Sequence, residues 1–372
     1  MKHRIRNGRV YLDGRFEEHL TLLFDEGGIL ALGAEAEAAD ADREIDAKGL
    51  WILPGLVDVH THGRGGYDFN DASVEELKKL RRLYAAEGVT TVLATLASAT
   101  PEGWLAAIER VRRAELDGIH LEGCFLNPKK RGAHREDLLL PVTGENLSRF
   151  LSALPHPCHI TAALELDQDG SFTATALAAG ATLGLGHTNA TTEEARLALA
   201  RGAISFSHLY NAMPPLHHRA GGPVAVALSS DAYAELICDG FHVAPEVVVL
   251  TQRLKGRDRL VLISDSLSAA GCPDGIYPSA GFDVTVKDGR AYTPEGAIAG
   301  STASLFDGLC NLIRFAGISP EEAIPAATVN PARMVGLDRQ VGSIAPGKRA
   351  DLLLVTPALS LVSVFAAGEQ IR

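Results

Sequence analysis

Side chains able to bind metals or move protons stand at the ends of short apolar runs in this sequence. The segment VDVHTHG places Asp58, His60 and His62 at alternate positions, so all three face the same side of a strand. A glycine-rich loop, GRGG, follows at once and puts both histidines where the strand ends. Two histidines at this spacing, closing an apolar run, favour a metal site over a structural role.

Four further apolar runs end on a residue of the same kind: Glu122, His187, His208 and Asp265. Alone, Glu122 has three readings, as a surface acid, a buried acid satisfied by a neighbour, or a metal ligand. Nitrogen and carboxylate ligands without thiolates suit a hydrolytic Zn²⁺, Fe²⁺ or Mn²⁺ site. Such an ion polarises a carbonyl and lowers the pKa of water toward ~7. Asp265 has no histidine beside it, and we expect it to move the proton that hydrolysis requires.

The elements that must position these residues alternate between strands and helices from about residue 53 to 339. Ser73-x-x-Glu76 and Thr191-x-x-Glu194 are capping-box patterns that open helices, and Pro101 suits the first position of another. The repetition favours a parallel barrel or a doubly wound sheet. In a barrel, the carboxyl ends of the strands converge on one face, where active sites are built.

The two ends of the chain differ from the middle. Residues 1–52 and 340–372 consist of glycine turns between β-type runs, and neither piece is large enough to fold well alone. We therefore predict that both termini pair into one small β-domain beside the barrel.

Composition excludes several classes of function. The formal net charge is −11 without a long run of Lys or Arg, which argues against a nucleic-acid or anionic-membrane partner. The five cysteines form no C-x-x-C pair, and no apolar run approaches the ~20 residues of a membrane span. The N-terminus lacks the apolar run of a signal peptide, so we expect a reducing cytoplasmic setting.

A series of motifs resembles one known family. In order, they are PGLVDVHTHG, HLEGCF followed by GAH, GHTNATTEEA, HLYNAMPPLHHR, CDGFHVAPE, SDSLSAAG and AGS. The series is similar to that of the N-acetylglucosamine-6-phosphate deacetylases of the amidohydrolase superfamily. The resemblance runs from about residue 53 to the final GKRADLLLV. It implies a (β/α)₈ TIM-like metal-dependent hydrolase barrel with a small β-sandwich domain formed by both termini.

The resemblance also implies roles for the metal-binding residues. Glu122, His187 and His208 would hold the principal metal. His60 and His62 would add a second, more exposed ion, with Glu122 bridging the two. Zn²⁺ is the first choice of metal, and Fe²⁺ and Mn²⁺ are alternatives, with one or two ions per subunit.

The implied chemistry is hydrolysis of the acetamide of N-acetyl-D-glucosamine 6-phosphate in amino-sugar catabolism. Asp265 matches the catalytic acid/base, and His134 matches a histidine that helps to polarise the acetyl carbonyl. The other implied substrate contacts are Ala133, Asn211, Ala212, Arg219, His242, Ile298, Ala299 and Gly300. Asn211 and Ala212 would contact the phosphate. Arg219 would reach the phosphate in the neighbouring subunit, which implies a homodimer.

Three departures from the family pattern remove a proline near the site. Cys124 stands where proline is usual, Ala163-Leu164-Glu165 replaces an A-P-E triplet, and His218-Arg219-Ala220-Gly221-Gly222 replaces H-R-E-P-G. Cys124 is interpreted as a small buried hydrophobe, with a soft ligand or a redox-sensitive thiol as alternatives.

Two other functions stay open. One is a related amidohydrolase acting on N-acetylgalactosamine 6-phosphate or another N-acyl amino sugar. The other is a sugar-phosphate sensor without catalysis, which the intact Asp265 argues against.

Overall fold

The computed structural model describes residues 1–279, 282–294 and 296–372. Its strands, numbered along the chain, are β1 (His3–Arg6), β2 (Arg9–Leu12), β3 (Arg15–Glu18), β4 (Leu22–Asp25), β5 (Gly28–Leu32), β6 (Arg43–Asp46), β7 (Trp51–Pro54), β8 (Leu56–Thr61), β9 (Gly63–Arg64), β10 (Tyr67–Asp68), β11 (Val89–Leu96), β12 (Gly118–Glu122), β13 (Cys158–Ala162), β14 (Thr182–Leu185), β15 (Ser205–Phe206), β16 (Tyr233–Ile237), β17 (Leu260–Ile263), β18 (Gly275–Ser279), β19 (Phe282–Lys287), β20 (Arg290–Tyr292), β21 (Leu352–Val355), β22 (Leu361–Ala366) and β23 (Glu369–Gln370).

The α-helices are α1 (Ala34–Ala38), α2 (Val74–Ala86), α3 (Pro101–Arg113), α4 (Gly144–Leu151), α5 (Ser171–Ala178), α6 (Thr192–Arg201), α7 (Gly222–Ser229), α8 (Pro245–Arg259), α9 (Leu305–Ala316), α10 (Pro320–Ala323) and α11 (Val329–Met334). Short 3₁₀ helices span Pro128–Lys130, Glu136–Leu138, Leu164–Leu166 and Ile324–Ala327.

The centre of the molecule is an all-parallel sheet of eight strands, in the order β8-β11-β12-β13-β14-β15-β16-β17. Hydrogen bonds at the carboxyl ends of the first and last strands close the sheet into a ring. The Asp265 N–H donates to the His60 carbonyl at 2.9 Å, and the His62 N–H donates to the Ser266 carbonyl at 2.8 Å. Helices α2 to α8 connect successive strands. The predicted (β/α)₈ barrel is therefore confirmed.

The helices begin where their capping residues predict. Ser73 and Thr191 each accept the backbone N–H three residues on, and the glutamate there returns the bond, which forms complete capping boxes on α2 and α6. Helix α2 then buries Leu77, Leu80 and Tyr84 against the barrel. Burial of each such side chain stabilises the fold by about 1.5–3 kcal/mol.

The two termini build two packed sheets beside the barrel. One has the order β23-β22-β21-β7-β2-β3, and the other has the order β5-β4-β1-β6. Ile5 and Phe24 from the smaller sheet share a buried cluster with Ile52, Leu354 and Phe365 from the larger one. The arrangement is a sandwich with residues from both ends of the chain. Strand β7 ends at Pro54, two residues beyond the predicted boundary at residue 52.

A small antiparallel sheet, β18-β19-β20, follows β17 and was not expected from the sequence. Ser279 from β18 and Val284 from β19 line the cavity at the carboxyl ends of the barrel strands. Among the described residues, no helix is both long and apolar enough to cross a membrane.

Candidate metal centre and substrate pocket

The ends of four barrel strands position the predicted site residues in a regular way. Glu122 is the last residue of β12, whereas His187, His208 and Asp265 each come two residues after a strand, at φ of 45°, 30° and 45°. Residues other than glycine seldom occupy this left-handed region, and each costs of order 1–3 kcal/mol. The backbone is therefore strained where three side chains turn toward one point, a pattern that is frequent at functional sites.

The Glu122 carboxylate is the centre of this arrangement. Its Oε1 lies 2.8 Å from His208 Nε2, 3.3 Å from His187 Nε2 and 3.2 Å from His60 Nε2. Its Oε2 lies 2.9 Å from His62 Nε2. Both oxygens thus face imidazole nitrogens, as expected of a carboxylate able to bridge two ions.

The potential ligands fall into two groups that share Glu122. One group contains His60, His62, Glu122 and Asp265, and the other contains Glu122, His187 and His208. Within each group the ligand-type atoms lie within 4.8 Å of one another. Asp265 Oδ1 is 3.4 Å from His62 Nε2 and 3.7 Å from His60 Nε2. Asp265 therefore belongs to the first group through its contacts with both histidines of the HTH segment.

Two properties of this cluster fit a divalent cation. His60 Nε2 is fully buried and has no hydrogen-bond partner among the described residues, which is costly unless another group binds it. Burial would raise the pKa of Glu122, but His60 and hydrogen bonds with His187 and His208 hold that pKa well below its usual range. An anionic oxygen surrounded by imidazoles suits Zn²⁺, Fe²⁺ or Mn²⁺. The residues present therefore fit the predicted metal.

Most of the predicted site residues line one cavity above this cluster. They are His62, Glu122, Ala133, His134, His187, His208, Asn211, Ala212, His242, Asp265, Ile298, Ala299 and Gly300. His60 lies behind the cavity wall and is fully buried. Arg219 is exposed outside the cavity, with its guanidinium 2.7 Å from His218 Nε2. The structure thus brings together every predicted site residue except Arg219.

The surroundings of His134 define which nitrogen carries its proton. The Ser98 N–H points at His134 Nδ1 at 3.4 Å, and the Ser98 hydroxyl lies 3.0 Å from the same nitrogen. An N–H can only donate, so Nδ1 accepts and Nε2 carries the hydrogen. Burial, with a contribution from His187, lowers the pKa of His134 to about 3. His134 is therefore a neutral hydrogen-bond donor.

A carboxylate fixes His242 in the opposite tautomer. His242 Nδ1 donates to Asp239 Oδ2 at 2.6 Å, and the Ser301 hydroxyl donates to the same oxygen at 3.1 Å. Burial raises the pKa of Asp239, but His242 outweighs it and lowers that pKa to about 2. With Nδ1 bound to Asp239, Nε2 is the ring nitrogen left to form a hydrogen bond in the cavity that His242 lines.

Cys124 is buried and lies outside both ligand groups. Its Sγ donates to the Ala99 carbonyl at 3.4 Å, and burial raises the pKa of its thiol to about 12. The side chain thus has the environment of the small buried hydrophobe interpreted from the sequence. Its φ of 55° is closed to proline, so the backbone after Glu122 has a shape that a proline-bearing chain cannot copy.

Some residues near the site were missed in the sequence. Ser98, Arg135, Ser279 and Val284 line the cavity without belonging to a recognised motif. Glu235, in the middle of β16, contacts the ring of His60 from below. A single acid within the apolar run YAELI was the signal that could have revealed Glu235.

The sequence matches the Amidohydrolase family over residues 51–371. It is 32% identical to the N-acetylgalactosamine-6-phosphate deacetylase of Escherichia coli O157:H7, over 99% of both chains. It is also 32% identical to the N-acetylglucosamine-6-phosphate deacetylase of Vibrio furnissii, over 99% of this chain and 94% of the relative.

Solved structures give the same picture. The N-acetylglucosamine-6-phosphate deacetylase of Pasteurella multocida superposes with a TM-score of 0.93 at 29% identity, over 100% of this chain and 99% of that one. A point mutant of the Mycobacterium smegmatis enzyme, in complex with N-acetyl-D-glucosamine 6-phosphate, superposes with a TM-score of 0.91 at 34% identity, over the same shares. The match along the chain, the barrel and the cluster around Glu122 agree, and the chain belongs to the amidohydrolase family.

Proposed function

We propose that this protein hydrolyses the acetamide of N-acetyl-D-glucosamine 6-phosphate to D-glucosamine 6-phosphate and acetate, in amino-sugar catabolism or recycling. The observation that carries the proposal is the Glu122 carboxylate among four histidines, with Asp265 beside them at the floor of one cavity. The names of the relatives and structural neighbours support the same substrate class.

The metal centre has two halves in this proposal. Glu122, His187 and His208 would hold the principal ion, and His60 and His62, with Glu122, would hold a second one. A divalent metal there, with Zn²⁺ as first choice and Fe²⁺ or Mn²⁺ as alternatives, supplies Lewis acidity that polarises the amide carbonyl and lowers the pKa of water.

Asp265 and His134 handle the protons and the developing charge. The Asp265 carboxylate accepts a proton from the attacking water and returns it to the leaving amine nitrogen. His134 donates its Nε2 hydrogen to the acetyl oxygen, where negative charge grows as the carbonyl is attacked. Burial keeps the His134 ring neutral. Its Nε2 hydrogen can therefore form this hydrogen bond to the acetyl oxygen directly.

The upper cavity holds the sugar phosphate. His242 Nε2 accepts a hydrogen bond from the sugar, and residues 298–300 line the sugar site beside Ala133. Asn211 and Ala212 contact the phosphate in this proposal. Arg219 contacts the phosphate bound by the partner in a homodimer, which is consistent with its exposure outside its own cavity. We also place the enzyme in a reducing cytoplasm, since its five cysteines are unpaired.

Acetate release is the direct test of this function. The gluco and galacto epimers of the N-acetyl 6-phosphate would be supplied separately, with Zn²⁺, Fe²⁺ and Mn²⁺ in turn. We expect acetate from the gluco epimer at the higher kcat/KM. If neither epimer yields acetate with any of the three metals, the proposal is refuted. Tight binding of the sugar phosphate without turnover would support a sensor instead.

The galacto epimer is the second candidate substrate. The relative from Escherichia coli O157:H7 favours it, because its sequence is as identical to this chain, at 32%, as that of the Vibrio furnissii enzyme. A higher kcat/KM on the galacto epimer in the same assay would establish this alternative.

The role of Arg219 has its own test. Arg219→Ala is expected to raise KM for the 6-phosphate about tenfold while kcat changes little, because a charge-assisted contact to phosphate is lost. The exposed neighbour His217 provides the control variant His217→Ala. A monomer in light scattering, or an unchanged KM, would contradict the proposed cross-subunit contact.

A further inference from the structure

Glu235 is a fully buried carboxylate inside the barrel that the proposed chemistry does not use. It stands in the middle of β16, beneath the metal-binding cluster. Removing a carboxylate from water costs several kcal/mol unless its oxygens are hydrogen-bonded. Its partners therefore indicate why the barrel keeps an acid at this position.

Each oxygen of Glu235 has defined partners. Oε2 lies 3.0 Å from His60 Nδ1. Oε1 accepts the Ser205 hydroxyl at 3.1 Å and lies 3.3 Å from His159 Nε2. Oε2 is thus placed to accept the Nδ1 hydrogen of His60.

This contact decides the tautomer of His60. With the hydrogen on Nδ1, the lone pair of Nε2 faces Glu122 Oε1 at 3.2 Å and Asp265 Oδ1 at 3.7 Å. Nε2 is the buried nitrogen that lacks a hydrogen-bond partner in the described structure. A carboxylate that holds the far nitrogen of a histidine in this way raises its basicity toward a metal.

The other histidines of the cluster lack such support. His62 Nδ1 and His208 Nδ1 have no hydrogen-bond partner among the described residues, and His187 Nδ1 contacts only the Lys130 carbonyl at 2.8 Å. Among these four histidines, only His60 has a described carboxylate behind it. The support therefore acts on one half of the cluster.

We propose that Glu235 is a positioning residue that controls metal loading of the His60–His62 half of the centre and leaves the Glu122–His187–His208 half unaffected. The proposal rests on the metal centre of the proposed function and assigns a separate determinant to its second ion. Glu235 orients His60 and does not touch substrate.

The test compares Glu235→Gln with wild type by metal content and by competition against a chromogenic chelator, using Zn²⁺ as the probe. Glutamine keeps the size and one acceptor but removes the charge. We expect two ions per wild-type chain and, in the variant, one ion of unchanged affinity and a second weakened about 10–100-fold. His60→Asn should reproduce the loss of the second ion.

Two matched controls test whether Glu235 acts by orienting His60 or only by filling space in the barrel interior. Ser205→Ala and His159→Gln each remove another partner of Glu235 but leave its contact with His60. We expect both controls to keep two ions, and thermal unfolding would verify that all variants fold.

Three outcomes among the variants would overturn the proposal. Glu235→Gln could bind both ions with wild-type affinity, it could lose both ions equally, or the controls could lose the second ion as readily. A wild type with only one ion would also overturn it. A wild type without any metal would overturn the proposed metal-dependent function as well, so the two failures are distinguishable.

Discussion

Ser98 determines the hydrogen-bonding state of His134. The Cys124 N–H donates to the Ser98 hydroxyl oxygen at 3.0 Å, so this hydroxyl can donate its own hydrogen to His134 Nδ1. The chain after Glu122 thus supports a residue that binds the acetyl oxygen in the proposed reaction. The backbone at Cys124 therefore affects the proposed reaction through Ser98 and His134.

Ser98→Ala removes the hydroxyl and leaves the weaker backbone contact to His134. We expect kcat to fall about fivefold, since one hydrogen bond contributes about 1 kcal/mol, whereas KM should change little. Steady-state kinetics on N-acetyl-D-glucosamine 6-phosphate measure both constants. Ser98→Thr retains the hydroxyl and serves as the control. Equal rates for Ser98→Ala and wild type would contradict this role.

Single residues were predictable from the sequence where a motif or a strand end marked them. Glu122, His187 and Asp265 were recognised because each closes an apolar run. Ser98 and Glu235 were missed, because their partners are distant in sequence and meet only when the barrel closes. Their roles depend on contacts across strands, which spacing along the chain does not reveal.

At the scale of the elements, the chain directly after β14 packs closely against the neighbouring strands of the barrel. A Cβ on Gly186, directly after this strand, would lie 2.6 Å from Thr161 Cγ2 and 2.8 Å from Ser207 Cβ. Such distances require neighbouring atoms to move. Glycine is therefore needed here to let the chain place His187 against Glu122.

Gly186→Ala should destabilise the protein by about 1–3 kcal/mol through overpacking, and should weaken metal binding by the Glu122–His187–His208 group. Thermal unfolding and chelator competition would measure the two effects. Gly308→Ala in α9 is the matched control, since its Cβ would meet nothing closer than 3.9 Å. Unchanged stability and metal affinity in Gly186→Ala would refute the packing argument.

Elements marked by a local sequence signal were predicted better than elements without one. The capping boxes at Ser73 and Thr191 correctly located the starts of α2 and α6, because that signal is local. The sheet β18-β19-β20 was not expected, since no recognised motif lies within its strands. This sheet completes the cavity wall with Ser279 and Val284.

For the whole molecule, Arg349 connects the terminal sandwich to the barrel. Its guanidinium lies 2.5 Å from Asp117 Oδ1 and 2.6 Å from Asp351 Oδ2, and it donates to the Thr90 carbonyl at 2.9 Å. Both carboxylates are buried, with 8% and 4% of their side chains exposed. The GKRAD segment thus joins the two parts through a paired cation.

Arg349→Met should cost about 3 kcal/mol in the free energy of unfolding, because it leaves two buried carboxylates without their cation. Urea unfolding would measure the loss. Arg82→Met is the control, since Arg82 also joins the barrel to the sandwich, through Glu369 at 3.1 Å, but both side chains are more than half exposed. That control should cost less than about 1 kcal/mol. A similar cost for both variants would contradict the role given to Arg349.

Metal-dependent acetate release is the most direct measurement of the central claim. Acetate formed from N-acetyl-D-glucosamine 6-phosphate would be followed in wild type and Asp265→Asn, after chelation and again after a divalent metal is returned. We predict that chelation abolishes wild-type release, that the metal restores it, and that Asp265→Asn stays about 10²–10⁴-fold slower with metal present. Full release by the chelated wild type, or a wild-type rate in Asp265→Asn, would contradict this account.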